Sequence, residues 1–186
     1  LKEINSKNDK ASYKKLFSLC SSVMLSIIKL DIPVIASVHS TATAAGCQLV
    51  ATCDLAIASD KARFATPGVN IGLFCSTPMV ALSRNISKKH SMEMLLTGDL
   101  IDALTAKEYG LINRVVPCRD LNDTVLEIAK KILKKSSKTI ATGKKAFYEQ
   151  LELGVSEAYK FTSEIMTNNM TEYNAQEGVD AFLQKR

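Results

Sequence analysis

The sequence has no tryptophan and only two histidines, His39 and His90, among its 186 residues. Two histidines are too few for a histidine-rich metal cluster, so no metal site is expected. The five cysteines are an odd number, form no C-x-x-C pair and lie among apolar residues. This argues against a disulfide or zinc framework and for a reducing compartment. No apolar run is long enough to span a bilayer.

The excess of positive charge is small, with 24 basic and 19 acidic residues and a formal net charge of +5. This charge suits a phosphate-rich ligand. It suits nucleic acid less well, because the lysine pairs at 130–131 and 134–135 lie on the polar face of a predicted helix without aromatic residues for stacking. With 46% apolar residues, the chain can bury a sizeable core as one or two domains.

Hydrophobic periodicity predicts an α/β protein whose later part is mostly helical. An amphipathic helix is predicted over 10–30, with its apolar face formed by Leu16, Leu19, Cys20, Val23, Ile27 and Ile28. Strands are predicted at Ile32–Val38, Asp54–Ala58 and Ile112–Val116. Helices are predicted at Thr77–Ile86, Lys88–Leu96, Asp102–Gly110 with Asp102 as the N-cap, and Leu121–Leu133. Two or three more follow from Thr139.

The most informative segment is the small-residue stretch from His39 to Val50, which follows a predicted strand and leads into a helix. The first N–H groups of a helix have no intrahelical acceptor, and the helix dipole is positive at that end. Such a turn can stabilise a carbonyl oxygen that gains negative charge, as in an oxyanion hole. The alternative interpretation is that small residues only allow the helix to pack closely on a sheet.

Several short motifs occur in an order that is typical of one protein family. They read Ala44-Ala45-Gly46-Cys47-Gln48-Leu49, Cys53-Asp54, Ala62-Arg63-Phe64-Ala65-Thr66-Pro67-Gly68, Met92-Glu93-Met94-Leu95-Leu96-Thr97-Gly98, Tyr109-Gly110-Leu111-Ile112-Asn113 and Glu177-Gly178-Val179-Asp180-Ala181-Phe182-Leu183-Gln184-Lys185-Arg186. In these motifs and their separations the chain resembles the crotonase superfamily of enoyl-CoA hydratases and isomerases. Within it, the chain most resembles a mitochondrial group, which implies a mitochondrial location.

The resemblance implies the crotonase (ClpP-like) spiral of ββα units, followed by a C-terminal helical region that forms trimers. On this frame, residues 1–100 are the remainder of the α/β core and residues 101–186 are the trimerisation region. The family loop that supplies a second oxyanion donor would precede Leu1, so we expect the chain to be a fragment that lacks the N-terminal part. The implied partners are an acyl-CoA and further copies of the chain, in a homotrimer or a dimer of trimers. No resident cofactor is implied, because the coenzyme A thioester is the ligand or substrate.

In the hydratases that this chain resembles, two glutamates act as general base and acid. Here the matching positions are Gln48 and Gly68, while Ala45 matches the residue whose backbone N–H is the oxyanion donor. An amide can orient a water but cannot take its proton at neutral pH. Loss of both carboxylates should therefore nearly abolish hydration. Restoring both glutamates is expected to raise hydration if the frame of the site is intact.

The resemblance also indicates residues that contact the substrate. Ala44 lies in the oxyanion turn, and Asn70, Cys75 and Ser76 match the lining of the acyl pocket. A catalytic role for Cys75 is less favoured than that of a buried, inert cysteine, since no histidine lies close in sequence. At the C-terminus, Phe182 and Lys185 match residues that reach the nucleotide end of coenzyme A, commonly at a neighbouring subunit's pocket. The alternatives are a core phenylalanine and a solvated lysine. Lys2 is a weaker candidate for the same ligand.

Three functions remain open at this point. The chain could bind acyl-CoA thioesters in lipid metabolism with little or no hydratase activity. It could be an active hydratase-like or isomerase-like enzyme that uses other residues. It could also be a structural or assembly subunit that has lost the ligand.

Overall fold

The computed structural model describes residue 6 and residues 9–185. It divides the chain into two units, one formed by residues 1–28 and 34–128 and the other by residues 29–33 and 129–186. The first unit contains strands and helices, and the second is helical apart from its connections. β5, α5 and β6, which follow residue 100, belong to the first unit.

The elements of the first unit alternate between short strands and short helices. In chain order they are α1 (Lys10–Lys29), β1 (Ile35–Val38), β2 (Thr41–Thr43), α2 (Ala45–Thr52), β3 (Leu55–Ser59), β4 (Arg63–Ala65), a 3-10 helix (Pro67–Ile71), α3 (Ser76–Asn85), α4 (Lys88–Thr97), β5 (Ile101–Asp102), α5 (Ala103–Glu108), β6 (Arg114–Val116), a 3-10 helix (Cys118–Asp120) and the start of α6 (Leu121–Leu133).

The described strands form two three-stranded sheets. In the first, β3 lies between β1 and β6 and is parallel to both. In the second, β4 pairs in parallel with β2 and antiparallel with the short β5. Consecutive strands β1 and β2 therefore belong to different sheets. The chain passes from one sheet to the other at His39 and Ser40.

The predicted strand at Ile32–Val38 is shorter in the structure, where β1 begins at Ile35. The segment Thr41–Thr43, expected to be part of a small-residue turn, is the strand β2. Three residues are too few to produce a visible alternation of apolar and polar side chains. Pairing with β4 determines their conformation instead, with Thr43 opposite Ala65.

The core of the first unit lies between α2, the strands and helices α3 and α4. Its fully buried side chains include Phe64 from β4, Leu82 from α3 and Met94 from α4. Helix α2 contributes Cys47, Val50 and Ala51, which recur at helical spacing. Because α2 packs against α3 and β2, its first turn is positioned by the core.

Helix α1 has the predicted extent, but its apolar face differs from the predicted one. Leu19 and Val23 are exposed, whereas Ile27 is buried and Leu16, Cys20 and Met24 are half-buried. These four residues follow a spacing of three or four. The prediction for Leu19 and Val23 was wrong because several apolar residues in this helix compete for the inner face.

The second unit contains the end of α6, then α7 (Ser137–Gln150), α8 (Val155–Met170) and α9 (Tyr173–Leu183). Helices α7 and α8 pack on each other, and Lys138 of α7 forms a salt bridge with Glu172. The Lys144 Nζ donates a hydrogen bond to the Ile32 carbonyl, 3.0 Å away. The prediction of two or three further helices after residue 139 is confirmed, with three.

Candidate functional site

The turn between β2 and α2 has an unusual backbone. Ala44 has φ 49° and ψ −116°, a conformation that favours glycine because it lies at positive φ. Its N–H donates to the Ala65 carbonyl at 3.0 Å, and its carbonyl accepts from the Gln48 N–H at 3.0 Å. The turn is thus tied to β4 on one side and to helix α2 on the other.

Ala45 is the first residue of α2 and is exposed. Its N–H lies before the first intrahelical hydrogen bond, which is the one that Gln48 donates to Ala44. N–H groups at this position have no acceptor within the helix and lie at the positive end of its dipole. The geometry therefore presents a hydrogen-bond donor where the sequence predicts the oxyanion site.

Gln48 lies one turn further along the same helix and is almost completely buried, with 4% of its surface exposed. Its side-chain Oε1 has no hydrogen-bond partner among the residues that the structure describes. Its backbone carbonyl accepts from the Thr52 hydroxyl at 2.7 Å. The Gln48 amide is therefore neither solvated nor fully satisfied within the core of the described residues.

Gly68 lies in the 3-10 helix Pro67–Ile71, in surroundings that leave no space for a side chain. A Cβ atom at this position would lie 2.5 Å from the Leu73 carbonyl oxygen and 2.8 Å from the Cys75 Sγ. The Leu73 N–H in turn donates to the Gly68 carbonyl at 2.9 Å. The loop that follows Gly68 therefore occupies the space into which a glutamate at 68 would extend.

This finding bears on the expectation that restoring glutamates at 48 and 68 raises hydration if the frame of the site is intact. At position 68 the nearest obstacle is a backbone carbonyl, which cannot rotate away as a flexible side chain can. A glutamate there requires the loop Gly72–Cys75 to move, so the double substitution no longer tests catalysis alone.

The residues that the resemblance places in the acyl pocket lie in or beside this loop. Cys75 is buried, as expected for an inert cysteine, while Asn70 and Ser76 are exposed. Both the N–H and the hydroxyl of Ser76 donate to the Phe74 carbonyl, at 2.7 and 3.3 Å. The backbone of Ser76 is therefore engaged within the loop.

The Cys47 thiol belongs to the core beneath the turn. Burial, and secondly the neighbouring Cys75, raise its pKa to about 12 against an opposing effect of a backbone hydrogen bond from Ala65. The thiol thus stays protonated at neutral pH. It cannot replace a lost carboxylate as a general base.

The candidates at the C-terminus lie in the second unit. Phe182 is 83% exposed, so the alternative of a core phenylalanine is wrong within this chain. Lys185 follows the end of α9, is exposed and has a positive φ of 54°. Lys2 lies outside the described residues.

Sequence reasoning missed two features of the site. One is the pair of atoms, the Leu73 oxygen and the Cys75 Sγ, that fill the space beside Gly68. No local pattern signals such a contact, because it depends on how the loop folds back. The other is the positive φ of Ala44. A signal for it existed, because the matching motif of the family that the chain resembles reads G-G-G-C-E-L, with glycine at the position of Ala44.

No group of three or more histidine, cysteine, aspartate or glutamate residues suited to a metal ion occurs in the described part of the chain. Among the same residues, none of the helices combines the length and apolar character needed to cross a membrane.

The sequence model of the enoyl-CoA hydratase/isomerase family matches residues 1–186. The chain belongs to this family. It is 49% identical to the rat mitochondrial enoyl-CoA hydratase domain-containing protein 3 over 186 residues, which is all of this chain and 62% of the relative. The human protein of the same name is 48% identical and covered to 61%. The chain thus spans about three fifths of the length of these relatives.

Solved structures of the family agree with this fold. A crystal structure described as enoyl-CoA hydratase from Mycobacterium smegmatis matches with a TM-score of 0.98 and 50% identity, over all of this chain and 72% of that one. The crystal structure of human enoyl-CoA hydratase domain-containing protein 3 matches with a TM-score of 0.95 and 48% identity, over all of this chain and 73% of that one. The expected crotonase fold is confirmed.

Proposed function

We propose that this chain binds acyl-CoA thioesters in lipid metabolism and has little or no hydratase activity. The observation that carries the proposal is the contrast between two parts of one site. A backbone donor remains at the start of α2, whereas the two positions of the catalytic glutamates hold a buried amide and a glycine without space for a side chain.

The backbone of the turn supports thioester binding. Ala45 is an exposed residue, and its N–H, which has no acceptor within the helix, can donate to a thioester carbonyl. The dipole of α2 favours negative charge on that oxygen. Hydrogen bonds from Ala44 to β4 and from Gln48 to Ala44 hold this donor in place before a ligand arrives. A fixed donor does not need to reorganise on binding.

Hydration additionally needs a group that removes a proton from water and one that returns a proton to carbon. The Gln48 amide can hold a water by hydrogen bonds but cannot accept its proton. Gly68 contributes no side chain, and the Cys47 thiol, with a pKa of about 12, keeps its proton. Positioned acid–base groups contribute about 10²–10⁴-fold each, so binding without turnover is the expected outcome.

We further propose that Phe182 and Lys185 of the second unit contact the nucleotide end of coenzyme A bound at a neighbouring subunit. Phe182 offers an exposed aromatic surface for the adenine, and Lys185 offers a positive charge for phosphate. Lys2 remains a weaker candidate.

We further propose a homotrimer or a dimer of trimers through residues 101–186. Exposed apolar side chains on α7 and α8, among them Phe147 and Met166, support this assembly. The relatives' names support a mitochondrial location.

The second candidate is an active hydratase that uses other residues. It is favoured by the description of the 50% identical Mycobacterium smegmatis structure as an enoyl-CoA hydratase. An ordered water held by Gln48, or a group of the substrate itself, would then carry the proton. The third candidate, an assembly subunit without a ligand, leaves the exposed donor at Ala45 without a role.

Hydrogen–deuterium exchange with butyryl-CoA tests the binding proposal. We expect slower exchange over residues 41–48, because the ligand covers the start of α2, and unchanged exchange in the helix Leu121–Leu133. Free coenzyme A, which lacks the acyl carbonyl, should protect residues 41–48 less. No measurable binding of butyryl-CoA would favour the assembly subunit. Binding without protection of residues 41–48 would contradict the assigned site.

A further inference from the structure

We infer that the junction between helices α6 and α7 docks on an anionic membrane surface. This basic junction comprises residues 130–138 and contains five lysines. The partner is the face of a bilayer with acidic phospholipids, whose headgroups meet the lysines while one exposed leucine enters the interface. The basic junction belongs to the second unit, and the inference does not depend on the proposed thioester site.

The distribution of charge along the chain is the first observation. Between Glu127 and Glu149 the chain has seven lysines and no acidic residue or arginine. The whole chain has a formal net charge of +5, so the residues outside this stretch together carry −2. Five of the seven lysines fall within the basic junction. The excess positive charge of the chain is therefore concentrated in one short segment.

The structure exposes this charge on a short, fixed turn. All five lysines of the basic junction are exposed, namely Lys130, Lys131, Lys134, Lys135 and Lys138. The Lys135 N–H donates to the Ile132 carbonyl at 2.9 Å, and the Ser136 Oγ accepts from the Thr139 N–H at 3.3 Å. The five side chains therefore extend from one compact stretch of backbone.

The helix dipoles explain only part of this pattern. Lys130 and Lys131 lie in the last turn of α6, where positive charge is favourable. Lys138 lies in the first turn of α7, where the dipole disfavours a cation, and it forms a salt bridge with Glu172. Repulsion among neighbouring lysines opposes folding, so an anionic partner stabilises this surface.

Leu133 supplies an apolar group among these lysines. It is the last residue of α6 and is 81% exposed. Lys130 lies about one helical turn before it, and Lys134 follows it directly. An exposed leucine beside several lysines suits the boundary of an anionic bilayer, because the apolar side chain enters the boundary while the ammonium groups stay at the phosphates.

Two other partners fit this surface less well. Nucleic acid is bound best by arginine and by aromatic side chains that stack on bases, and the basic junction contains neither. A second copy of the same surface would bring lysines against lysines, which is repulsive. An anionic bilayer requires only clustered positive charge and an apolar anchor, and the basic junction offers both.

Co-sedimentation of the 186-residue chain with vesicles tests the inference. The partition coefficient is measured with phosphatidylcholine vesicles that contain about 30% phosphatidylglycerol, and with vesicles of phosphatidylcholine alone. Lys134→Gln/Lys135→Gln removes two charges from the basic junction, and Leu133→Gln removes the apolar anchor. The matched control, Lys88→Gln/Lys89→Gln, removes two adjacent exposed lysines from α4. All three variants change exposed side chains and should keep the fold, which thermal unfolding checks.

We expect binding to the anionic vesicles only, and its loss when the salt concentration is raised from about 0.1 to about 0.5 M. Each lysine near an anionic surface contributes about fivefold, so Lys134→Gln/Lys135→Gln should lower the partition coefficient about 25-fold. Leu133→Gln should lower it about tenfold, because an apolar side chain no longer leaves water. Lys88→Gln/Lys89→Gln should bind as the unmodified protein does.

Equal binding to both kinds of vesicle, or unchanged binding of Lys134→Gln/Lys135→Gln, would overturn the inference. An equal loss in Lys88→Gln/Lys89→Gln would also overturn it, because binding would then follow net charge alone. Tighter binding of a single-stranded RNA than of the anionic vesicles would overturn it in favour of nucleic acid. A changed oligomeric state of Leu133→Gln with unchanged vesicle binding would overturn it in favour of a contact between copies.

Discussion

At Ala44 and Gly68, the backbone and its surroundings limit which side chain each position can hold. Ala44 has a positive φ that favours glycine, and Gly68 lies against the Leu73 carbonyl and the Cys75 Sγ. At position 44 the chain has an alanine although the backbone conformation favours glycine. At position 68 it has a glycine where the family has a glutamate. Both residues flank the proposed thioester site. Substitutions at both positions are expected to change protein stability whether or not a ligand is bound.

Substitution of Gly68 by alanine should destabilise the protein. The added Cβ would lie 2.5 Å from a backbone oxygen, so the loop must shift, and overpacking of this kind costs about 1–3 kcal/mol. Gly143→Ala is the matched control, because Gly143 lies within helix α7 with nothing within 4 Å of the added atom. That variant should gain about 0.5–1 kcal/mol from helix propensity. Urea unfolding measures the free energy of unfolding of both variants. Equal changes in Gly68→Ala and Gly143→Ala would contradict the close packing at Gly68.

Substitution of Ala44 by glycine should stabilise the protein. Glycine reaches φ 49° and ψ −116° without steric cost, whereas strain of this type costs an alanine about 1–3 kcal/mol. After the entropic cost of glycine, we expect a gain of about 1 kcal/mol in the free energy of unfolding. Ala129→Gly, within helix α6, should lose about 1 kcal/mol. If thermal unfolding shows the same loss for both variants, Ala44 is not strained.

At the scale of elements, helix α2 couples the core to the site. Its inner face, with Cys47, Val50 and Ala51, is buried, while Ala45 at its start is exposed. Packing of this eight-residue helix thus fixes the position of the backbone donor at its exposed first residue. The high pKa of Cys47 is a consequence of this burial and gives the packing a measurable signature.

Protein stability should fall at alkaline pH because of Cys47. The thiol has its ordinary pKa of 9.0 in the unfolded chain and about 12 in the folded protein. Between these values the unfolded chain has released the proton and the folded protein retains it. The free energy of unfolding then decreases by about 1.4 kcal/mol per pH unit from this group, and below pH 9 the group contributes no pH dependence.

The measurement compares unfolding of the unmodified protein with Cys47→Ala between pH 7 and 11. The variant should lack this part of the alkaline decline, whereas Cys118→Ala, at an exposed cysteine, should retain it. Parallel pH profiles for the unmodified protein and Cys47→Ala would show that the thiol is not buried as described.

The order of the elements could largely be predicted from the sequence, because long periodic segments and clear caps determine it. Asp102 is a good example, since its side chain accepts from the Thr105 N–H at 2.8 Å as an N-cap does. The strand Thr41–Thr43 could not be predicted, because its conformation depends on pairing with β4. The exposure of Leu19 and Val23 likewise depends on which of several apolar stripes of α1 meets the core.

The site was predictable in its chemistry and less so in its geometry. The exchange of two glutamates for Gln48 and Gly68 is visible in the family motif. The filled space beside Gly68 and the unpartnered oxygen of Gln48 result from tertiary packing, which spacing does not encode. The first of them makes a reversal of Gly68 to glutamate unsuitable as a test of catalysis alone.

At the scale of the whole molecule, the proposed function divides between the two units. The first holds the backbone donor and the altered catalytic positions, and the second holds Phe182, Lys185 and the exposed apolar helices. The chain spans 62% of the length of its rat relative. We propose that this chain keeps the backbone donor for thioester binding without the side chains for proton transfer.

The most direct test is to measure binding and hydration of crotonyl-CoA with the same purified protein. We predict saturable binding together with hydration slower than that of an authentic hydratase by about 10²-fold or more, since two acid–base groups are missing. The loss of the enoyl-thioester absorbance reports hydration, and calorimetry reports binding. A hydration rate within about tenfold of the authentic enzyme would contradict the account, because Gln48 and Gly68 would then support the proton transfers that their chemistry excludes.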